Sequence, residues 1–240
     1  MDGNRISRRH LEVSLGRSKH AFALFKQWVS RHKTLSLIGG VLITILVVFG
    51  IVFCLTRSDK REVSNTGVVQ YYQNQLSSLS NKVAKKPDDA TAHRDYAVAL
   101  YVTGDIKSAK EQYETAVKLK GDDATLHNNL ANTYRDLKEY PKAIHEYEAA
   151  ISVDAKYQNA YINMANLQIN MLNKPNDAIA TYKRAVEVMP DNTQLKILLG
   201  LTYEQAGNIP QSIQTFKAVQ AQDPDNKAAK SNLARLGVHS

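Results

Sequence analysis

Four asparagines, Asn159, Asn163, Asn166 and Asn170, fall at i, i+4, i+7 and i+11 of one stretch, which on a helix is a single stripe. Each carboxamide carries both a donor and an acceptor, the pair of groups needed to hydrogen-bond the main chain of an extended peptide. Asparagine is a mediocre helix former, so a stripe of it calls for a reason beyond helix stability. In an upstream stretch Thr125, Asn129, Asn132 and Asp136 have the same spacing, with Asn128 adjacent.

Covalent chemistry is not indicated. The sequence holds no glycine-rich phosphate loop, no His-Glu-x-x-His pair and no serine nucleophile elbow. His93 and His127 occupy the place that Tyr161 takes further on, which marks them as packing residues. His145 lies among charged neighbours and reads as solvated. The pairs Asp88-Asp89 and Asp122-Asp123 suit helix capping better than a metal. A single cysteine, Cys54, excludes a disulfide framework and a cysteine-rich zinc site. The chain is therefore read as non-enzymatic, with no metal and no cofactor.

The elements that would carry the amide stripe follow from how charge and apolarity are distributed. Residues 35–55, LSLIGGVLITILVVFGIVFCL, contain no charged side chain. At about 1.5 Å per residue a helix of that length spans roughly the 30 Å of a bilayer's hydrocarbon core. Residues 1–34 carry Arg5, Arg8, Arg9, Arg17, Lys19, Lys26, Arg31 and Lys33 against Asp2 and Glu12. Most of the formal net charge of +8 therefore precedes the apolar segment. The positive-inside rule then predicts a cytoplasmic arm at 1–34, an uncleaved transmembrane helix at 35–55 and an extracytoplasmic C-terminal part. Cys54 reads as an apolar filler of that helix. The arm is rich in Arg and Ser and poor in acid, so a mitochondrial presequence is the alternative. Ser36, Gly40 and Thr44 recur every four residues, a spacing that would let two such helices pair as a homo-oligomer. The part beyond the span is nearly neutral, which gives no reason to expect nucleic-acid binding.

After a polar linker at 56–66, Val69, Tyr72, Leu76, Leu79 and Val83 predict an amphipathic leading helix over 67–86. A self-similarity follows. Ala109, Ala143, Ala178 and Ser212 are each trailed four residues later by an aromatic, Tyr113, Tyr147, Tyr182 or Phe216. Three residues beyond come Ala116, Ala150, Ala185 and Val219. Upstream in each unit a large residue precedes a small one: Tyr96-Ala97, Leu130-Ala131, Met164-Ala165 and Leu199-Gly200. Gly104-Asp105, Lys138-Glu139, Asn173-Lys174 and Gly207-Asn208 break each unit into two helical runs. Pro141, Pro175 and Pro210 open the second runs. Between units lie Pro87-Asp88, Gly121-Asp122, Pro190-Asp191 and Pro224-Asp225, whose Asp residues are the expected N-terminal caps. Repeat units of 90–123, 124–157, 158–192 and 193–226 result, closed by a capping helix and tail at 227–240.

This pattern resembles the tetratricopeptide repeat family, a helix–turn–helix signature of 34 residues. The resemblance covers 90–224 and implies an all-α solenoid of about four repeats plus a cap. Leu100 and Gln168 depart from the aromatic seen as Tyr134 and Tyr203, and the third repeat has one extra turn residue. The resemblance also implies that the first helix of each repeat lines a concave groove. Asn128, Asn129, Asn132, Asn159, Asn163, Asn166 and Asn170 would then form its amide-lined centre, with Val98 at one end and Leu198 and Leu201 at the other. Some members clasp a chaperone's C-terminal carboxylate with Lys, Arg and Asn. Asn129 matches the central asparagine, whereas Asn159 and Asn163 stand where the basic residues belong. The expectation is a membrane-anchored scaffold that holds a protein or peptide partner, serving an envelope, secretion, pilus or cytochrome-maturation assembly. The contrasting reading is an organellar receptor for chaperones or targeted proteins, and a third is a structural homo-oligomer.

Overall fold

A computed structural model of the chain describes residues 66–238. The arm at 1–34, the apolar segment at 35–55 with Ser36, Gly40, Thr44 and Cys54, and all but the last residue of the 56–66 linker lie outside the described residues. The chain divides into two units, Met1–Asn65 and Thr66–Ser240. Among the described residues no helix is long and apolar enough to cross a membrane.

Within the second unit the described residues form ten helices. Helix α1 covers 66–85. Four pairs follow: α2 (Ala90–Thr103) with α3 (Ile106–Leu119), α4 (Ala124–Asp136) with α5 (Tyr140–Val153), α6 (Gln158–Asn170) with α7 (Pro175–Val188), and α8 (Thr193–Gln205) with α9 (Ile209–Gln222). Helix α10 (Lys227–Arg235) closes the array. From α2 onward each helix packs on its neighbours in sequence, so the core is a continuous seam, the arrangement of an α-solenoid.

The seam is built from the repeating small and aromatic residues. Ala97, Ala109, Ala116, Ala131, Ala143, Ala150, Ala165, Ala178 and Ala185 have no exposed surface, and Tyr113, Tyr147, Tyr182 and Phe216 are buried beside them. Small residues bring the two helices of a pair close, and the ring one turn further on fills the space that remains. Gly200 takes the place of alanine in the last pair because Phe216 presses into it. A Cβ there would lie 2.6 Å from the ring's Cε1. Gln168, at an aromatic position, is buried and accepts a hydrogen bond from Thr181 Oγ1 at 2.9 Å. A polar pair thus replaces the ring.

Ser212 stands where the other three repeats have alanine. Its hydroxyl is wholly buried and has no hydrogen-bond partner. An unsatisfied buried hydroxyl costs on the order of 1–3 kcal/mol. Ser212→Ala should therefore raise stability by about 1 kcal/mol. The check is the midpoint of urea unfolding, and an unchanged or lower midpoint would contradict the assignment.

The turns within each pair pass through the left-handed region at equivalent places: Gly104 (φ 92°), Lys138 (φ 63°), Asn173 (φ 52°) and Gly207 (φ 77°). Glycine adopts this conformation freely, whereas Lys138 does so against a Cβ clash. Caps between repeats fall one residue later than the Pro-Asp and Gly-Asp pattern suggests. Asp89, Asp123, Asn192 and Asn226 accept from main-chain N–H groups of α2, α4, α8 and α10, rather than Asp88, Asp122, Asp191 and Asp225. The extended conformation of a cap is reached only after the tight turn that the first Asp occupies.

One further device recurs. His93 Nε2 lies 2.9 Å from Pro87 O, His127 Nε2 lies 3.0 Å from Gly121 O, and Tyr161 Oη donates to Ala155 O at 3.1 Å. Each side chain pins the turn that leads into its own helix. The other ring nitrogen of each histidine meets the second helix of the pair, at Gln112 Oε1 (2.8 Å) for His93 and Glu146 Oε2 (2.7 Å) for His127. His145 is exposed and lies 3.2 Å from the other oxygen of Glu146.

Candidate functional site: the face of the first helices

Helices α2, α4, α6 and α8 form one row. Helices α4 and α6 pack on one another directly. Polar bonds join successive members. Tyr101 Oη donates to Asp136, Asn163 Nδ2 donates to Asn128 Oδ1 at 2.9 Å, and Asn192 Nδ2 donates to Gln158 Oε1 at 2.7 Å. Arg235 of α10 closes the row by a two-armed bond to Glu204. These ties run between residues 31 to 35 apart in sequence, so they fix the register of one repeat on the next. Second helices carry such a tie too, Arg184 of α7 to Glu148 of α5 at 2.6 Å, so it is the direct contact of α4 with α6 that marks this row as the more closely spaced, inner side.

The amide residues on that row divide into two sets. Asn128 is buried and bonded to Asn163, and Asn132 Oδ1 accepts from Tyr147 Oη at 2.6 Å and Arg135 Nη1 at 3.2 Å. Those three amides serve the fold. Asn129, half-buried, and Asn159, Asn166 and Asn170, exposed, make no side-chain hydrogen bond to any described residue. Val98 and Leu198 are half-buried against the core, while Leu201 stands 38% exposed. The row therefore presents unengaged amides from α4 and α6, with an exposed leucine on α8.

A residue outside the predicted set, Arg135, ties the stripe's α4 residues together. Arg135 donates from Nε to Asp136 Oδ1 at 2.9 Å and from Nη1 to Asn132 Oδ1. Asp136 in turn accepts from Tyr101, and Asn132 from Tyr147, so one polar chain spans α2, α4 and α5. Burial, the largest single influence, opposes the guanidinium's charge, but the hydrogen bond and charge of Asp136 together with Tyr147 and Tyr101 outweigh it and hold the group above its ordinary range. Burial also pushes the Tyr101 hydroxyl up to about 12, with Asp136 reinforcing the shift. Arg135 sits one residue off the asparagine stripe, which is why periodicity alone does not pick it out. Listing the charged residues of each first helix would have done so.

Among the described residues no group of three or more His, Cys, Asp or Glu side chains gathers to hold a metal ion. What the face can do chemically is offer hydrogen bonds and apolar surface. That is the equipment of a binding scaffold built from stacked helix pairs.

Residues 99–160 and 171–236 each match tetratricopeptide repeat profiles, and the chain belongs to the tetratricopeptide repeat family. The fold is that of a scaffold for protein–protein interaction. Solved structures give the same architecture. A crystal structure of MamA aligns at 18% identity with a TM-score of 0.55, covering 64% of this chain and 89% of that one. A second MamA crystal structure aligns at 17% identity and a TM-score of 0.55, over 71% of this chain and 89% of that one. MamA from Desulfovibrio magneticus RS-1 aligns at 16% identity and 0.52, over 68% and 95%. At these identities the likeness is one of fold. No curated protein matches the sequence.

Proposed function

We propose that the protein is a single-pass membrane scaffold whose solenoid holds an extended segment of a partner protein along its inner face. The observation that carries the binding half is the unengaged set Asn129, Asn159, Asn166 and Asn170 on a row whose other asparagines are tied down. Side chains with both donors and acceptors, held on cross-linked helices, are preorganised for main-chain pairing, and little conformational entropy is lost when a segment docks. The anchoring half is carried by the uncharged run at 35–55 and the basic arm before it. With that topology the scaffold serves an assembly on the far side of the membrane from the arm.

Two measurements test the halves separately. Protease added from the cytoplasmic side should leave the solenoid intact, and digestion of 66–238 from that side would reverse the orientation. Alanine at Asn129, Asn159, Asn166 and Asn170 together should keep full helical content by circular dichroism. Alanine is the better helix former, and none of the four amides is bonded within the fold. The same variant should lose the partner that crosslinks to this face in membranes. Undiminished crosslinking would overturn the binding half.

A further inference from the structure

Helix α1 has the place of a second helix but no first helix to cover it. It stops at 85, five residues before α2 opens at Ala90, and α3, α5, α7 and α9 stop the same distance before α4, α6, α8 and α10. It is held to the first repeat, where Leu76 packs against the core and Lys82 Nζ lies 3.5 Å from Asp95 Oδ2 of α2. Counted back by the 34 residues that separate α2 from α4, a covering helix would fall at 56–69. Residues 66–69 already belong to α1, so the chain does not place a full covering helix in that register. Accordingly no residue of α1 is buried, whereas α3, α5, α7 and α9 each bury at least three.

Helix α1 is also the longer element. The other second helices have 14 residues each, so 66–71 of α1 overhang the end of the array. On that overhang Val68 is 47% and Tyr71 60% exposed. The Tyr71 ring stands edge-on to that of Tyr72, with centroids 5.3 Å apart, and stays largely open to its surroundings. From Val63 to Asn81 the sequence has no charged side chain, and between Glu62 and Asp88 the only charges are Lys82, Lys85 and Lys86.

Reach and chemistry decide what covers such a surface. Ten residues separate Leu55, the end of the uncharged run, from α1. At full stretch a chain of that length spans about 35 Å, so the overhang is tethered within that distance of the bilayer. Tyrosine, with an apolar ring and a polar tip, is a side chain of the membrane interface. A surface without carboxylates meets no repulsion from anionic headgroups. A helix of a second copy fits less well. Past Tyr71 the exposed side chains are Gln73, Asn74, Ser77 and Ser78, too polar for a helix–helix seam.

We infer that the overhang at 66–71 lies in the headgroup region of the bilayer, with Val68 and Tyr71 against the upper acyl chains, and so pins the N-terminal end of the solenoid to the membrane surface. The inference rests on the anchoring half of the proposed function and adds a second membrane contact to it.

The test uses the full chain in nanodiscs, one copy per disc, after Trp28→Phe removes its single tryptophan. Tyr71→Trp then serves as the probe. Lipid brominated in the upper acyl chain should quench it about twofold, since an interfacial side chain reaches about 5–10 Å into the headgroup–acyl boundary. Met171→Trp, just past α6, is the control: Met171 is 56% exposed, close to Tyr71, and the probe there should not be quenched. Val68→Asp added to Tyr71→Trp should bring quenching down to the control's level. Helical content by circular dichroism should not change, because the Val68 side chain is exposed. Phe53→Trp reads the anchor separately. Quenching there without quenching at Tyr71→Trp would overturn the overhang contact and leave the anchor standing. Quenching at neither would sink the anchor itself. Equal quenching at Met171→Trp would overturn the inference as well, since the solenoid would then lie on lipid as a whole. Shielding of Tyr71→Trp only when two copies share a disc would make a second chain the occupant and overturn the lipid contact.

Discussion

Tyr147→Ala should destabilise the solenoid by about 3–5 kcal/mol, the range found when a wholly buried aromatic ring is truncated. The ring has no exposed surface and belongs to the same core cluster as Ala131 and Ala143, whose small side chains leave room for it. Those alanines cannot move inward to close the cavity, because each belongs to a helix already packed on its other side. The loss includes the bond from Tyr147 Oη to Asn132 Oδ1. In a repeat array stability is a sum of units and the interfaces between them, so damage in the second of four repeats weakens both neighbouring interfaces. Total stability of a domain is about 5–15 kcal/mol, which makes a loss of this size a large fraction of it. Urea unfolding of the full chain followed by far-UV circular dichroism reads the effect. Tyr147→Phe is the control: it keeps the ring, removes the hydroxyl bond and should cost about 1 kcal/mol. A cost under about 1.5 kcal/mol for alanine would mean that the ring is not the wedge its burial implies.

That ring belongs to the part of the structure legible in the sequence. Ala109, Ala143 and Ala178, each followed four residues later by tyrosine, recur at a spacing that no other element order explains, and in the fold all six are buried. The large–small pairs ending in Ala97, Ala131, Ala165 and Gly200 supply the facing side of the same contacts. Gly200 shows the limit of this kind of reading. The sequence marks it as small, but that it must lack a Cβ follows only from the position of the Phe216 ring.

The caps and the inner face were less legible, for a different reason. Asp88 and Asp89 are neighbours of the same type, as are Asp122 and Asp123, and composition cannot choose between them. The choice is made by the backbone, which reaches the extended conformation at the second of each pair. On the inner face the asparagine stripe was visible as a period. The division between structural and unengaged amides was not, since it depends on Tyr147 and Asn128 reaching Asn132 and Asn163 from other helices. Arg135 is not legible in the sequence, because its role depends on bonds to Asp136 and Asn132 that only a folded turn creates. Local pattern records which face is buried. Which polar groups remain free is a tertiary property.

The buried tyrosines also set a limit on the pH range in which the solenoid survives. Burial pushes the Tyr147 and Tyr182 hydroxyls up to about 12, against about 10 in an unfolded chain, and both rings are almost wholly inaccessible. Tyr113 and Tyr134 are raised as well, with burial again the largest cause. The sign follows from linkage. Each folded-state value lies above the unfolded one, so the neutral phenol is the form the fold favours. Its contribution is complete below pH 10 and is lost as pH climbs from about 10 through 12. A shift of about two units corresponds to roughly 2–3 kcal/mol for each of Tyr147 and Tyr182 once both states are ionised. Two such losses take away about 5 kcal/mol, enough to unfold an array of ordinary stability. Stability should thus be flat from neutrality to about pH 10 and then collapse. Tyr182→Phe should delay the collapse, because phenylalanine keeps the ring and has nothing to ionise. The measurement is a urea midpoint at each pH, with phenolate absorbance recorded in parallel. If the phenolate absorbance that Tyr182→Phe removes is the part that appears near pH 10 while the helices remain folded, that ring titrates freely and burial is not the cause of its shift.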